Sequence, residues 1–411
     1  MTSTITTLNA RSIFDSRGRP TVEVDIHLSC GTVGRAACPS GSSTGIFEAH
    51  EKRDTNKDLY NGQGVQDAID HIHHDILPIL QGQCPLNQTH IDTLMCRLDG
   101  TDQKSTLGAN AILPVSLAVA VAAAKISGQP LYRYLGGLAR LSGFPTPMMN
   151  VINGGCHSDS GLSIQEFMIV PSPRLDLPDQ LHMGYQIQQS LRTLLIEQGH
   201  TTLVGDEGGF APKLTNSTHA LDLLMDACQK SNYTPGKDVF FALDCAASEF
   251  YDNGTYTVDG TDYTSETLLD LYAQWTEAYP IISLEDPFDQ EDWDAWVAAT
   301  QGLGCRLIGD DIFVTQTERL SQGIQMGAAN GILIKPNQVG TLSETLQTIY
   351  HGQKSAYTTI ISHRSGETED TFISDLAVAV GADFIKIGAL TRSDRCAKYN
   401  QLLRIWEECA G

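Results

Sequence analysis

Between Val239 and Gly388 one pattern recurs: a short apolar run, then an ionisable residue, then a polar stretch of helical character. Val-Phe-Phe-Ala-Leu leads into Asp244, Ile-Ile-Ser-Leu into Glu285, Arg-Leu-Ile-Gly into Asp310 and Gly-Ile-Leu-Ile into Lys335. Thr-Thr-Ile-Ile-Ser then leads into His363, and Asp-Phe-Ile into Lys386. Runs this short, rich in Ile, Leu, Phe and Val and recurring every roughly 25 to 40 residues, predict buried parallel strands with helical crossovers. Strands that carry chemistry at their C-terminal ends predict a closed (β/α) barrel, because the loops after its strands converge around one axis. The spacing predicts one concave site holding three carboxylates, two basic groups and an imidazole.

The chain before Val239 divides near residues 137–147, where Gly136-Gly137 opens a run of turn chemistry that ends at Pro147. We place an N-terminal domain at 1–137 and the barrel at 138–411. In the first domain, Thr21 to Leu28 alternates as a half-buried strand does, and Thr32 to Cys38 is its hairpin partner. Helices are predicted over Val65–Leu80, Ile91–Leu98, Asn110–Ser127 and Leu131–Leu135, with Pro114 tolerable only in the first turn of its helix. Together they make an α+β unit. The small-residue stretch Pro39 to Gly45 reads either as a plain surface loop or as a functional one.

In the second domain, Met148–Ile152 and Gln165–Val170 are strands, Met183–Gln198 is a helix, and Thr201–Gly209 is a further strand ending in acids. Glu166 stands at the beginning of its run. An acid there faces the wrong side of a purely parallel barrel, so this strand runs antiparallel or Glu166 sits on a mobile loop.

Composition narrows the function classes. With 411 residues, 41% hydrophobic and 18% charged, the chain has the balance of a soluble globular protein. A net charge of -22 opposes nucleic-acid binding, which needs phosphates neutralised by Lys and Arg. The 10 cysteines show no CxxC pair, which disfavours a zinc site or a disulfide framework and suits an intracellular protein. Met1 to Thr7 lacks the basic flank and apolar core of a signal peptide. The apolar stretch Ile112–Ala124 is too short to span a bilayer. A cytoplasmic location with no membrane partner is the expectation.

Asp244, Glu285 and Asp310 at the ends of buried strands would repel one another unless a cation sat between them, and hard oxygen ligands of this kind suit Mg²⁺. Each alone could merely cap the following helix; three in succession followed by Lys335 point to a metal. Lys335 is the natural base, its pKa expected to be lowered by burial beside divalent ions. Glu207, between Asp206 and Gly208-Gly209, is a candidate acid on a loop.

Several stretches taken together resemble the enolases. They are Asp15-Ser16-Arg17-Gly18, Ser40 to Gly45, Gly108 to Ile112, Asn153-Gly154-Gly155 with His157, and Gln165-Glu166-Phe167-Met168. Further on come Gly205 to Gly209, Asp244 to Phe250, Ser283-Leu284-Glu285-Asp286-Pro287, Gly309-Asp310-Asp311, Lys335 with Asn337-Gln338, Ser362 to Asp370, and Lys398 to Leu402. The likeness covers nearly the whole chain, and Ser-His-Arg-Ser-Gly-Glu-Thr-Glu-Asp is highly specific.

The resemblance implies an N-terminal α+β capping domain followed by an enolase-type (β/α)8 barrel with an antiparallel second strand. It implies dehydration of 2-phosphoglycerate to phosphoenolpyruvate with two Mg²⁺ per site, the second arriving with substrate. Asp244, Glu285 and Asp310 would hold the first ion and Ser43 would help hold the second. Lys335 would take the C2 proton and Glu207 would protonate the departing hydroxyl. A Lys base with Mg²⁺ is the established pattern of that superfamily. Arg364 and Ser365 would bind the phosphate and Lys386 the carboxylate side, with His157, Gln165, Glu166 and His363 lining the pocket. A homodimer or larger homo-oligomer is expected. Ser42 stands where the family commonly has Ala, Ile387 where Thr is usual, and Leu390-Thr391 where residues are smaller. These departures leave open a paralogue that enolises a related phosphonate or phosphate; an enolase-like scaffold without turnover would need none of the retained catalytic groups.

Overall fold

The computed structural model describes residues 3–41, 45–137, 143–158 and 160–410, and Ser43 and Ser42 lie outside them. Strands β1 (Ile5–Phe14), β2 (Pro20–Leu28) and β3 (Val33–Ala37) form one antiparallel sheet in the order β1-β2-β3. Only the turn at its end marked β1 in the sequence, because its burial does not alternate cleanly. The helix Ala109–Ile126 lies on β2 and β3. Pro114 is the sixth residue of that helix, past the first turn where proline was expected, and the helix continues through it. An interior proline costs about 3 kcal/mol. Burial of nearly the whole helix offsets that loss, from Ala111 and Ile112 through Ala123 and Ala124. At 18 residues it is longer than the apolar stretch suggested and apolar enough to cross a bilayer, but 83% of it is buried inside the protein, as in a core helix.

Eight strands close the barrel: β4 (Thr146–Asn153), β5 (Glu166–Pro171), β6 (Val239–Asp244), then, after a small sheet of β7 (Tyr251–Asp252), β8 (Thr255–Val258) and β9 (Thr261–Tyr263), β10 (Ile281–Glu285), β11 (Arg306–Gly309), β12 (Gly331–Ile334), β13 (Thr358–Ser362) and β14 (Phe384–Lys386). β5 runs antiparallel to both neighbours, with Glu166 opposite Asp244, and every other barrel pair is parallel. This decides the position of Glu166: it begins a reversed strand. Met148, Met168, Val170, Ala242, Ile308, Leu333 and Ile360 form a separate apolar cluster within the ring, while alternate residues such as Phe241, Ile332 and Ile361 join the larger core under the helices.

Two segments differ from the sequence expectation. The helix expected from Met183 begins at Leu177, where Asp176 accepts from the Asp179 N–H at 3.1 Å and Pro178 occupies the first turn. The strand expected over Thr201–Gly209 is absent; Phe210 alone bridges to Val204 and Ile152. Leu203 is 75% exposed and Val204 is exposed too, so the apolar start of the run has no buried face, and Gly208 at φ +88° bends the chain back as its N–H bonds the Gly205 carbonyl.

Candidate active site

Each barrel strand delivers its group to one rim. Asp244, Glu285 and Lys386 end β6, β10 and β14; Asp310, Lys335 and His363 directly follow β11, β12 and β13. Reversal of β5 brings Glu166 to the same end. One pocket is lined by Gln165, Glu166, Glu207, Asp244, Asp310, Lys335, His363, Arg364, Ser365 and Lys386. Glu285 joins them through the Lys386 ammonium. His157 ends a short turn after β4, and its side chain is outside the described residues, as is Ser43.

Lys386 is the electrostatic centre. Its Nζ lies 2.7 Å from Asp244 Oδ2, 2.9 Å from both Glu285 oxygens and 2.9 Å from Glu166 Oε1. Burial works to lower the Lys386 pKa, and the Asp244, Glu166 and Glu285 carboxylates outweigh it and hold the ammonium charged. Lys335 donates to Asp310 Oδ2. Here too burial pulls down while Asp310 pulls up, and the balance lies above the ordinary lysine value. The lowered pKa expected of the base presupposes divalent ions beside it; with the Asp310 carboxylate as the nearest charge the ammonium is favoured. Gln338 Nε2 donates to the other Asp310 oxygen at 2.9 Å, and Gln165 Nε2 to Asp244 Oδ2 at 3.3 Å.

On the opposite side, Asn150 Nδ2 donates to Glu207 Oε2 at 3.2 Å, and His363 Nε2 stands 3.5 Å from Glu207 Oε1. Thr391 Oγ1 donates to the Gly208 carbonyl at 2.7 Å and fastens the acid loop. A Cβ on Gly208 would stand 2.5 Å from that hydroxyl, so only glycine fits the turn. Burial and then the Arg395 charge push the His363 pKa well down, so the ring is neutral.

Further participants escaped sequence reasoning, Asp311 in the pocket lining and Asn150 beside Glu207 among them. Glu48 pairs with Arg364, Arg395 bonds His363, and Asp286 accepts the backbone N–H groups of Asp310 at 2.9 Å and Asp311 at 2.8 Å. A second acid beside each predicted one, as in Glu285-Asp286 and Asp310-Asp311, was the available signal for Asp286 and Asp311. Glu48 and Arg395 had none, since their partners are remote in sequence.

A sequence model described as Enolase, C-terminal TIM barrel domain matches residues 142–411, and another described as Enolase, N-terminal domain matches residues 5–135. The chain belongs to the enolase family. Its barrel, antiparallel second strand and rim of acids are the enolase-type α/β architecture, and the family makes it a lyase of the enolase superfamily acting on a small phosphorylated substrate.

The enolase rim carries more acid than base. Burial, followed by repulsion from Asp244, raises the Glu285 pKa; burial and Glu207 raise Glu166; burial and Asp310 push Asp311 up to about 7. Glu166 Oε2 is buried without a hydrogen-bond partner. Such a surplus of hard oxygen donors fits a divalent cation. Among the described residues, ligand atoms come within 4.8 Å of one another in two groups: Glu166 with Glu207 and His363, and Asp286 with Asp310 and Asp311. Of the three predicted metal ligands only Asp310 belongs to either; Asp244 and Glu285 instead share the Lys386 ammonium.

Proposed function

We propose that the protein is a phosphopyruvate hydratase, removing water reversibly from 2-phosphoglycerate to give phosphoenolpyruvate in glycolysis and gluconeogenesis. The observation that carries this reading is the presence, in one buried pocket, of Lys335, Glu207 and the Arg364-Ser365 pair. Lys335 Nζ accepts the C2 proton once Asp310 is otherwise engaged, since an ammonium cannot act as a base. The electron pair left at C2 forms the C2=C3 bond. Glu207 gives its proton to the C3 hydroxyl, the C3–O bond breaks and water departs. Arg364 and Ser365 hold the phosphate and Lys386 orients the carboxylate. Gln165, Glu166, His363 and His157 shape the remaining wall.

In this reading Asp244, Glu285 and Asp310 would hold one Mg²⁺ and Ser43 would help hold a second that arrives with substrate; ions bound there would supply positive charge beside the substrate carboxylate. Of the departures from the family pattern, Ile387 is fully buried in the apolar core and Leu390 packs on that core, whereas Thr391 bonds the acid loop and Ser42 lies outside the described residues. The burial of Ile387 and Leu390 supports 2-phosphoglycerate over a related phosphonate or phosphate. The reading also includes a domain division at residue 137, supported by family matches that end at 135 and resume at 142. A cytoplasmic location is supported by the free cysteines. Assembly as a homodimer or larger homo-oligomer and the absence of nucleic-acid and membrane partners complete it, the last two supported by charge and by burial of the one long apolar helix.

The test is turnover of 2-phosphoglycerate, followed by the ultraviolet absorbance of the enol product, with Mg²⁺ and with chelator. Mg²⁺-dependent turnover is expected. A folded, metal-binding protein that leaves 2-phosphoglycerate intact and turns over a phosphonate analogue overturns the assignment in favour of the paralogue.

A further inference from the structure

Arg395 lies in the helix Ser393–Ala410, outside the pocket lining, and its side chain is wholly buried. Its Nη1 stands 2.5 Å from His363 Nδ1 and 2.6 Å from the Arg364 carbonyl oxygen; its Nη2 donates to the carbonyls of Ser365 at 2.6 Å and Asp206 at 3.3 Å. Asp394 Oδ2 lies 2.8 Å from its Nε. One guanidinium therefore joins the segment assigned to phosphate with the residue next to the assigned acid.

A guanidinium only donates, so the imidazole nitrogen facing it must accept. An accepting Nδ1 carries no hydrogen, so the ring holds a single proton and it resides on the other nitrogen. That nitrogen, Nε2, is buried without a hydrogen bond and faces Glu207 Oε1 at 3.5 Å. We infer that Arg395 is a positioning residue: it fixes His363 as the Nε2–H tautomer, aimed at Glu207, and ties the acid loop to the phosphate-binding segment. The role rests on the proposed function. In that reaction an N–H directed at Glu207 is most useful after the proton has left, because it stabilises the carboxylate that remains. The base half, on Lys335, has no contact with Arg395.

The experiment has two arms. In the full-length protein labelled with ¹⁵N-histidine, long-range proton–nitrogen correlation reads which ring nitrogen carries hydrogen, with His363 assigned by its loss in H363Q. The Nε2–H form is expected and should persist from about pH 6 to 8; an Nδ1–H or doubly protonated ring overturns the inference. In the kinetic arm, Arg395→Lys and Arg395→Gln should slow dehydration of 2-phosphoglycerate about 100-fold, while exchange of its C2 hydrogen with solvent deuterium continues. Equal loss of both steps, or of neither, overturns it. Should the Arg395 variants fail to fold, H363Q and H363N replace them: H363Q keeps an amide near the Nε2 position and should dehydrate faster, and the opposite order sinks the idea. The tautomer is read without turnover. An Nε2–H ring in a protein that ignores 2-phosphoglycerate therefore rejects the proposed function alone, and an Nδ1–H ring in an active enzyme rejects the positioning role alone.

Discussion

Glu48 and Arg364 form a two-point ion pair, Arg364 Nη1 to Glu48 Oε2 at 2.8 Å and Nη2 to Glu48 Oε1 at 3.3 Å, with both side chains almost fully buried. Glu48 comes from the N-terminal domain and Arg364 follows β13, so the pair crosses between the cap and the barrel. The arginine assigned to the substrate phosphate is thus held in place by a carboxylate.

Removing one partner of a buried pair leaves the other uncompensated. Glu48→Gln should lower the stability of the free protein by about 3 kcal/mol. A phosphate bound at Arg364 restores an anion to it, so 2-phosphoglycerate should raise the Tm of the variant more than that of the wild type. Thermal unfolding with and without ligand measures both; equal ligand-induced shifts would remove Arg364 from the phosphate site.

Lys335→Ala should abolish C2 hydrogen exchange and lower kcat by about 1000-fold, the contribution of a well-placed proton acceptor. Deuterium incorporation into 2-phosphoglycerate reads the first effect and product absorbance the second. Exchange that survives the substitution assigns the base elsewhere.

Glu207→Gln divides the reaction at the other step. Hydrogen exchange at C2 should persist while loss of water slows by about 1000-fold. Loss of both would make Glu207 part of the proton-abstracting machinery.

Stability toward acid should depend on the surface of the first sheet. Hydrogen bonding from Arg35, at 2.6 Å and 3.0 Å, holds the Asp25 pKa down to about 2 against the opposing effect of burial, with Arg11 adding to it. A carboxyl with a depressed folded-state pKa contributes stability that is present above its unfolded value near 4 and is lost as pH falls toward 2. Arg35 is 60% exposed, so solvent screening reduces the contribution to on the order of 1 kcal/mol. Asp25→Asn should lose that amount at pH 7 and flatten the dependence between about pH 4 and 2 in denaturant titrations.

Much of this was readable from short-range pattern. The barrel strands, three to eight residues long, carry apolar runs with their ionisable groups at fixed ends, and a period of two or a continuous run survives any tertiary context that buries it. The position of Glu166 at the wrong end of its run narrowed the choice to a reversed strand or a mobile loop, and the resemblance to the enolases favoured the reversed strand that β5 is. The strand expected over Thr201–Gly209 failed because apolar residues there suggested a strand while Leu203 faces solvent. The placement of Lys335 was legible, but the Asp310 oxygen that holds its ammonium was not, since no spacing specifies a contact between two strand ends. Glu48 and Arg395 bond partners 316 and 32 residues away, and no local spacing encodes such meetings.

The reversed second strand has an architectural consequence. In a barrel of uniformly parallel strands, every link at the working rim leads into a crossover helix. Here the link from β4 to β5 leaves and re-enters at that rim, and among its described residues it carries only the short turn Gly155–His157. The mouth thereby gains one segment unburdened by a helix, free to diverge in length and side chains without disturbing the outer layer that keeps the cylinder closed.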